Sequence, residues 1–278
     1  MIYYEAKDFP VGGLEATGED VEVHVPAWTA YRTYGLYGSQ GGSITVKGGG
    51  NGNAYRWGDG KGNALRGGDG DGDAYRDGKG NGNAYRWGAG DGDAYRSGDG
   101  KGIALRGDDG DGDAYRDGGG AGNARRFGDG AGNARRSGNG KGNAYRGGAG
   151  AGNAWRYGGG DGVAWRSGTG NGTARRDGSG DGDAYRDGGG DGDALRTGGG
   201  NGSAQRYGFG AGNAYRGGGG NGGARRYGDG DGDAYRSGAG DGNVVRYGKG
   251  AGDAHRYGNV TGDAWRYSDG EIEEKQNE

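Results

Sequence analysis

The chain has no cysteine, one methionine, two prolines and three phenylalanines among its 278 residues. Without cysteine there are no disulfides and no thiolate-ligated zinc or iron–sulfur centre. Only 29% of the residues are hydrophobic, too few for a conventional core of Leu, Ile and Val. No apolar run approaches the roughly 20 residues that a membrane helix needs. The opening residues, Met1 to Asp8, lack a basic stretch followed by an apolar one, so the expectation is cytoplasmic synthesis without a secretory signal. Two histidines, His24 and His255, and no serine in a nucleophile motif leave nothing that reads as a catalytic constellation. The net charge of −3 gives no general attraction to nucleic acid or anionic lipid.

What the chain has in abundance is glycine, with 83 residues. Collagen would place glycine at every third position among many prolines, and here the glycines fall two apart. An aperiodic glycine-rich chain would be disordered. This one has a strict period. Residues 51–270 divide into 22 decapeptides of the form x-G-[ND]-A-[YLWR]-R-x-G-x-G. The sixth position is arginine in all 22, from Arg56, Arg66, Arg76, Arg86, Arg96, Arg106 and Arg116 onward to Arg266. The fourth is alanine except at Val244, the eighth glycine except at Asp108 and Ser268, and the tenth glycine except at Val260.

Three glycines in ten residues oppose a helix. The segment [ND]-A-[YLW]-R-x reads as a short strand with alternating faces, and the Gly-x-Gly-x-Gly run as tight corners. The expected fold is an all-β, thin, flattened β-solenoid of about 22 ten-residue coils with a Gly/Ala interior. Ala54, Ala64 and their equivalents point inward, and positions three and five point out. At ~4.8 Å per coil the array would be on the order of 105 Å long. Period ten does not by itself distinguish a ten-residue coil from one built of two decapeptides. Residues 1–49 form a more apolar capping or attachment segment, 50–270 the array and 271–278 a charged tail that would discourage end-to-end stacking. Ala30-Tyr31-Arg32 reads as a degenerate first repeat.

The columns of side chains suggest three chemistries. Stacked arginines repel unless compensated, and the favoured compensation is donation to turn carbonyls or to the Asp and Asn of position three, which makes them a structural ladder. The array carries 26 Arg and five Lys against 28 Asp, a balance that makes nucleic acid an unlikely partner. Alternating Asp and Gly, as in Asp69, Asp71 and Asp73 or Asp109, Asp111 and Asp113, offers hard oxygen ligands for calcium and is similar to toxin nonapeptide repeats. The aromatics at positions five and seven, among them Tyr55, Tyr75, Tyr85, Tyr95, Tyr115, Trp155, Trp165, Tyr247, Tyr257 and Tyr267, form a candidate surface for a polysaccharide, a cell surface, ice or a second copy of the chain.

The repeat G-x-G-[ND]-A-Y-R-x-G resembles glycine-rich tandem-repeat proteins encoded by tailed bacteriophages, and the likeness covers about four-fifths of the chain. It implies a virion-associated product or one released by lysis, and brings no catalytic residues. The tyrosine column is more loosely similar to the ladder of midge antifreeze proteins, which staple each coil with cysteines. The expected function is a non-enzymatic structural or surface-binding repeat protein that self-associates as a homo-oligomer or filament. Ice binding and calcium-dependent folding are the alternatives, and no cofactor other than calcium is expected.

Overall fold

The computed structural model describes residues 1–27, 29, 32–268 and 271–274. It is all β among these residues: a β-solenoid of parallel strands, with one antiparallel pairing near the C-terminus. The chain forms two compact units, Met1–Gly142 and Asn143–Glu278.

In the first unit the strands fall into two sheets. One contains Ile2–Glu5, Val21–His24, Ile44–Lys47, Ala64–Gly67, Ala84–Trp87, Ala104–Arg106 and Ala124–Arg126. The other contains Leu14–Glu15, Arg32–Tyr37, Gly52–Trp57, Ala74–Asp77, Ala94–Arg96, Ala114–Arg116 and Ala134–Arg136. We call them the Ile2 and Leu14 sheets. Ala94 is paired with Ala74 and with Ala114, so partners lie twenty residues apart. One coil is therefore two decapeptides, and the array holds half the number of coils that a ten-residue coil would give. The reason is physical. Each decapeptide contains only one strand-forming segment and one glycine-rich turn, whereas a closed coil needs two of each.

The second unit repeats the arrangement, with Ala144–Arg146, Ala164–Ser167, Ala184–Asp187, Ala204–Tyr207, Ala224–Tyr227, Val244–Tyr247 and Ala264–Ser268 in one sheet, the Ala144 sheet. Ala154–Tyr157, Ala174–Asp177, Ala194–Thr197, Ala214–Gly217, Ala234–Ser237 and Ala254–Tyr257 form the Ala154 sheet. Glu271–Glu274 runs antiparallel beside Ala264–Ser268, so the backbone of the charged tail covers that edge. Residues 275–278 of the tail lie outside the described residues.

Alanine at position four and arginine at position six share strand parity, so both point inward. The array alanines from Ala54 through Ala234 are fully buried, and the arginines from Arg56 through Arg246 are at most 1% exposed. The interior is thus Ala plus Arg rather than Gly and Ala alone. Arg116 shows what the guanidinium does. Its Nε donates to Gly102 O at 3.0 Å, and Nη2 to Gly100 O at 2.6 Å and Gly120 O at 3.2 Å. Nη1 donates to Asp117 O. Gly100 and Gly120 are the same turn position in successive coils, so one side chain ties two turns together. Its donors are spent on backbone carbonyls, not on the Asp and Asn of position three.

The glycines make room for this. Gly118 turns the corner at φ +113°, and a β-carbon on Gly122 would lie 2.1 Å from Gly102 O and 2.8 Å from Arg116 Nε. Where position eight is not glycine, Asp108 takes φ 71° and its Oδ2 accepts from Gly88 N at 2.6 Å, a conformation that Asp tolerates better than most side chains.

The N-terminal segment replaces both inward columns with apolar residues. Ile44 and Val46 pair with Ala64 and Arg66, and Tyr34 and Leu36 with Ala54 and Arg56. Arg32 pairs with Gly52 instead, so the degenerate repeat is displaced: Tyr34 and Leu36 hold the Ala and Arg places. Ala30 and Tyr31 lie outside the described residues. Arg32 donates from Nη1 to Ala6 O at 2.9 Å. Phe9, Val23, Val25, Tyr34, Leu36, Ile44 and Val46 build a core that the array lacks, with Phe9 edge-on to Tyr34 at 5.4 Å. Burying each Val, Leu or Ile stabilises by roughly 1.5–3 kcal/mol, against about 0.8 for one methylene-sized group.

Candidate functional site: the outward aromatic and carboxylate columns

With the arginines consumed inside, chemistry that varies along the molecule lies at the outward positions. The strand alternation that turns Ala and Arg in turns positions three, five and seven out. The twenty-residue coil also divides the aromatics. Consecutive decapeptides face opposite ways, so position five makes two columns per unit.

In the first unit, Tyr55, Tyr75, Tyr95 and Tyr115 lie on the Leu14 sheet. Tyr37 and Tyr55 stand 5.9 Å apart, Tyr55 and Tyr75 5.8 Å, and Tyr75–Tyr95 and Tyr95–Tyr115 both 4.8 Å. The last two pairs are parallel within 2° and 5°. Arg135 follows Tyr115 and ends the stack. Tyr85 belongs to the Ile2 sheet, between Leu65 and Leu105, with Trp87 at 6.3 Å.

In the second unit, Trp165, Tyr247 and Tyr267 lie on the Ala144 sheet, and Trp155 and Tyr257 on the Ala154 sheet. A run of rings, Tyr145, Trp165, Tyr185, Tyr207, Tyr227, Tyr247 and Tyr267, follows the first sheet with spacings of 5.0–6.2 Å. It crosses from position five to position seven where Gln205 replaces an aromatic residue. His255 stacks on Tyr235 at 4.8 Å, while His24 Nδ1 lies 3.2 Å from Glu5 Oε2. Trp57, Trp87, Trp165, Tyr247 and Tyr257 are exposed, and Phe209 is the most so of the array's rings at 68%.

The carboxylates are strung along columns. Asp73 Oδ1 accepts from Asp93 N at 2.8 Å, and Asp93 Oδ1 from Asp113 N at 2.7 Å. Asn does the same: Asn63 Oδ1 accepts from Asn83 N at 2.8 Å. Asp71 and Asp111 accept from the amides of Asp91 and Ala131 at 3.0 and 2.7 Å. Asp69 and Asp109 accept from Ala89 N and Asp129 N at 3.4 and 3.1 Å. This backbone-supporting ladder is why position three is Asn or Asp in most units, a role the sequence reading missed. The six aspartates singled out for calcium are not gathered around a common centre. Among the described residues no three carboxylates or imidazoles converge to hold a metal.

The second oxygen of position three reaches the ring two residues on. Tyr75 OH donates to Asp73 Oδ2 at 3.0 Å, Tyr95 OH to Asp93 Oδ2 at 2.7 Å and Tyr115 OH to Asp113 Oδ2 at 2.5 Å. Where position three is Asn the bond reverses, and Asn83 Nδ2 donates to Tyr85 OH at 2.8 Å. The pattern D-A-Y carries this signal, since residues two apart share a strand face.

Ionisation follows the packing. Burial, the Asp93 hydrogen bond and its charge raise Tyr95 above the ordinary phenol range, and the same causes act on Tyr115 with Asp113. Tyr235 is pushed up to about 12, chiefly by its bond to Asp233. Burial also raises the Asp93 carboxyl, against the opposing bond from Tyr95. Inside, burial and the like charges of Arg116 and Arg76 bring Arg96 down to about 9, and burial with Arg136 brings Arg116 to about 10. Both stay protonated at neutral pH, held by the carbonyl dipoles of the turns.

No family model, curated protein or solved structure matches the chain.

Proposed function

We propose that the protein is a non-enzymatic structural or surface-binding repeat protein, a spacer or fibre element that associates with further copies through its aromatic columns. The supporting observation is the division of labour across each strand. The arginines from Arg56 through Arg246 are turned inward and donate to backbone carbonyls, as Arg116 and Arg196 do, while the variable positions display Trp57, Trp87, Trp165, Phe209, Tyr247 and Tyr257 to solvent. Exposed aromatic rings on a stiff sheet are a common basis for protein association. The ice-binding reading draws on the Tyr75–Tyr95–Tyr115 stack, and the break at Arg135 weighs against it.

Sedimentation velocity and negative-stain electron microscopy over a range of protein concentrations test the proposal. The expected result is particles or bundles of fixed width, lost when Trp57, Trp87 and Trp165 are changed to Ser. A monodisperse monomer at every concentration overturns it.

A further inference from the structure

Tyr75, Tyr95 and Tyr115 stack tyrosine on tyrosine with a carboxylate acceptor on every hydroxyl; Tyr235 also donates to a carboxylate, Asp233, but its stacked neighbour is His255. The two ring pairs are parallel and 4.8 Å apart, and the three O–H···Oδ2 bonds are 3.0, 2.7 and 2.5 Å long. Tyr207 and Tyr227 stack nearly as well, at 5.0 Å and 10°, but Tyr207 OH donates to the amide Oε1 of Gln205, which is a far weaker base. All three rings of the first stack are half-buried, so a small solution oxidant can reach their edges.

We propose that the Tyr75–Tyr95–Tyr115 column is a site of oxidative modification, in which a one-electron oxidant couples neighbouring rings into dityrosine and joins successive coils covalently.

Losing an electron makes a phenol strongly acidic, so its oxidation is easiest when a base already accepts the hydroxyl hydrogen. Asp93 stands in that position for Tyr95, and Asp73 and Asp113 for the rings on either side. Each phenol gives one electron to the oxidant and its hydroxyl proton to Oδ2 of its aspartate, which releases it to solvent. Two neutral phenoxyl radicals in adjacent coils then join through ring carbons ortho to oxygen. The hydrogen on each joined carbon moves to that ring's own oxygen. One C–C bond forms, and two electrons and two protons leave the pair. The stack holds the partners side by side, which replaces a bimolecular encounter with a local rotation of two rings.

The experiment uses the full chain, tris-bipyridyl ruthenium and persulfate, with one persulfate taking two electrons to become two sulfates. Dityrosine fluorescence gives the rate, and peptide mass mapping the positions. The expected result is intramolecular linkage of Tyr95 to Tyr75 or Tyr115, at least roughly tenfold faster than linkage of Tyr207 to Tyr227. In the variant D73N/D93N/D113N that preference is lost. The amide Oδ1 retains the backbone ladder, as Asn63 does, while the Tyr bond turns round, as at Asn83–Tyr85. Circular dichroism verifies that the variant is folded, and Y95F, which leaves the carboxylates in place, must abolish linkage in this column. Equal rates at the two stacks, linkage only between molecules, or an unchanged preference in a folded triple variant overturns the proposal.

Discussion

Arg196 donates from Nη2 to the carbonyl of Gly180 at 3.0 Å and to that of Gly200 at 2.7 Å, the same turn position in two successive coils. Its Nε also reaches Gly182 O at 2.9 Å. The column that the sequence suggests is a structural ladder donating to turn carbonyls is an internal tie between turns.

Removing such a tie leaves turn carbonyls unpaired in a dry interior. R116A is expected to destabilise the protein by roughly 3–5 kcal/mol, the range for breaking a buried charged contact. R116K should recover little, because an ammonium cannot reach carbonyls spread around a planar fork. Urea denaturation of the two variants measures both effects. A lysine variant as stable as the parent would show that charge alone suffices.

Turn glycines without positive φ are equally constrained. G122A places a methyl against Gly102 O and Arg116 Nε, and should cost at least about 1–3 kcal/mol through displaced backbone. Thermal unfolding followed by circular dichroism reads the cost.

The Asp/Asn ladder predicts an asymmetry at position three. D93A leaves the Asp113 amide without its side-chain acceptor and should cost roughly 1–2 kcal/mol, while D93N stays within about 0.5. Hydrogen exchange at the Asp113 amide should quicken in the alanine variant only.

Alkaline pH should act through the tyrosines. Tyr95, Tyr115 and Tyr235 are raised on folding, so their contribution is complete below the ordinary phenol value of 10.0 and is lost as pH climbs through the folded values, about 12 for Tyr235. The depressed arginines act in the opposite direction: stability from them rises as pH passes upward through about 9 to 10 for Arg96 and Arg116. Tyrosinate absorbance should therefore show a late-titrating group of rings in the folded protein, and a single early titration in urea.

Coil parity gives a fifth prediction. Deleting residues 91–100 should preserve the fold, because the two sheets carry equivalent decapeptides, yet it moves Leu105 into the column after Tyr75. Deleting 81–100 keeps the remaining tyrosines, Tyr75 and Tyr115, on one sheet. Near-ultraviolet circular dichroism should lose the contribution of the parallel Tyr75–Tyr95–Tyr115 stack in the first deletion, which sets Tyr115 beside Tyr85 instead, and keep a Tyr75–Tyr115 contribution in the second; the Tyr207–Tyr227 stack contributes to both.

Much of this was legible in the residues. The shared parity of Ala54 and Arg56 already turns both inward, and the outward placement of Tyr55 follows from the same alternation. Coil length was less accessible, because a period of ten is also a period of twenty. The placing of Tyr55, Tyr75, Tyr95 and Tyr115 in one column and Leu65 and Leu105 in the other, interrupted by Tyr85, is the partial trace that twenty leaves in the sequence. The carboxylates misled for a local reason. Asp71 and Asp73 look like adjacent ligands along the chain, but each is directed to the amide one coil away. The registers of Tyr34 and Leu36 needed the three-dimensional pairing, since no decapeptide frame extends into residues 1–49.

An interior of alanine methyls and guanidinium groups also sets how stability responds to temperature. Exposing apolar surface raises the heat capacity and exposing polar surface lowers it, and ordinary domains gain about 12–15 cal/mol/K per residue on unfolding. Here the two contributions oppose each other throughout the array, so the gain per residue should be small and the stability curve shallow. Cooling would then weaken the protein little, and calorimetry should find an unfolding enthalpy nearly independent of the temperature at which melting is made to occur.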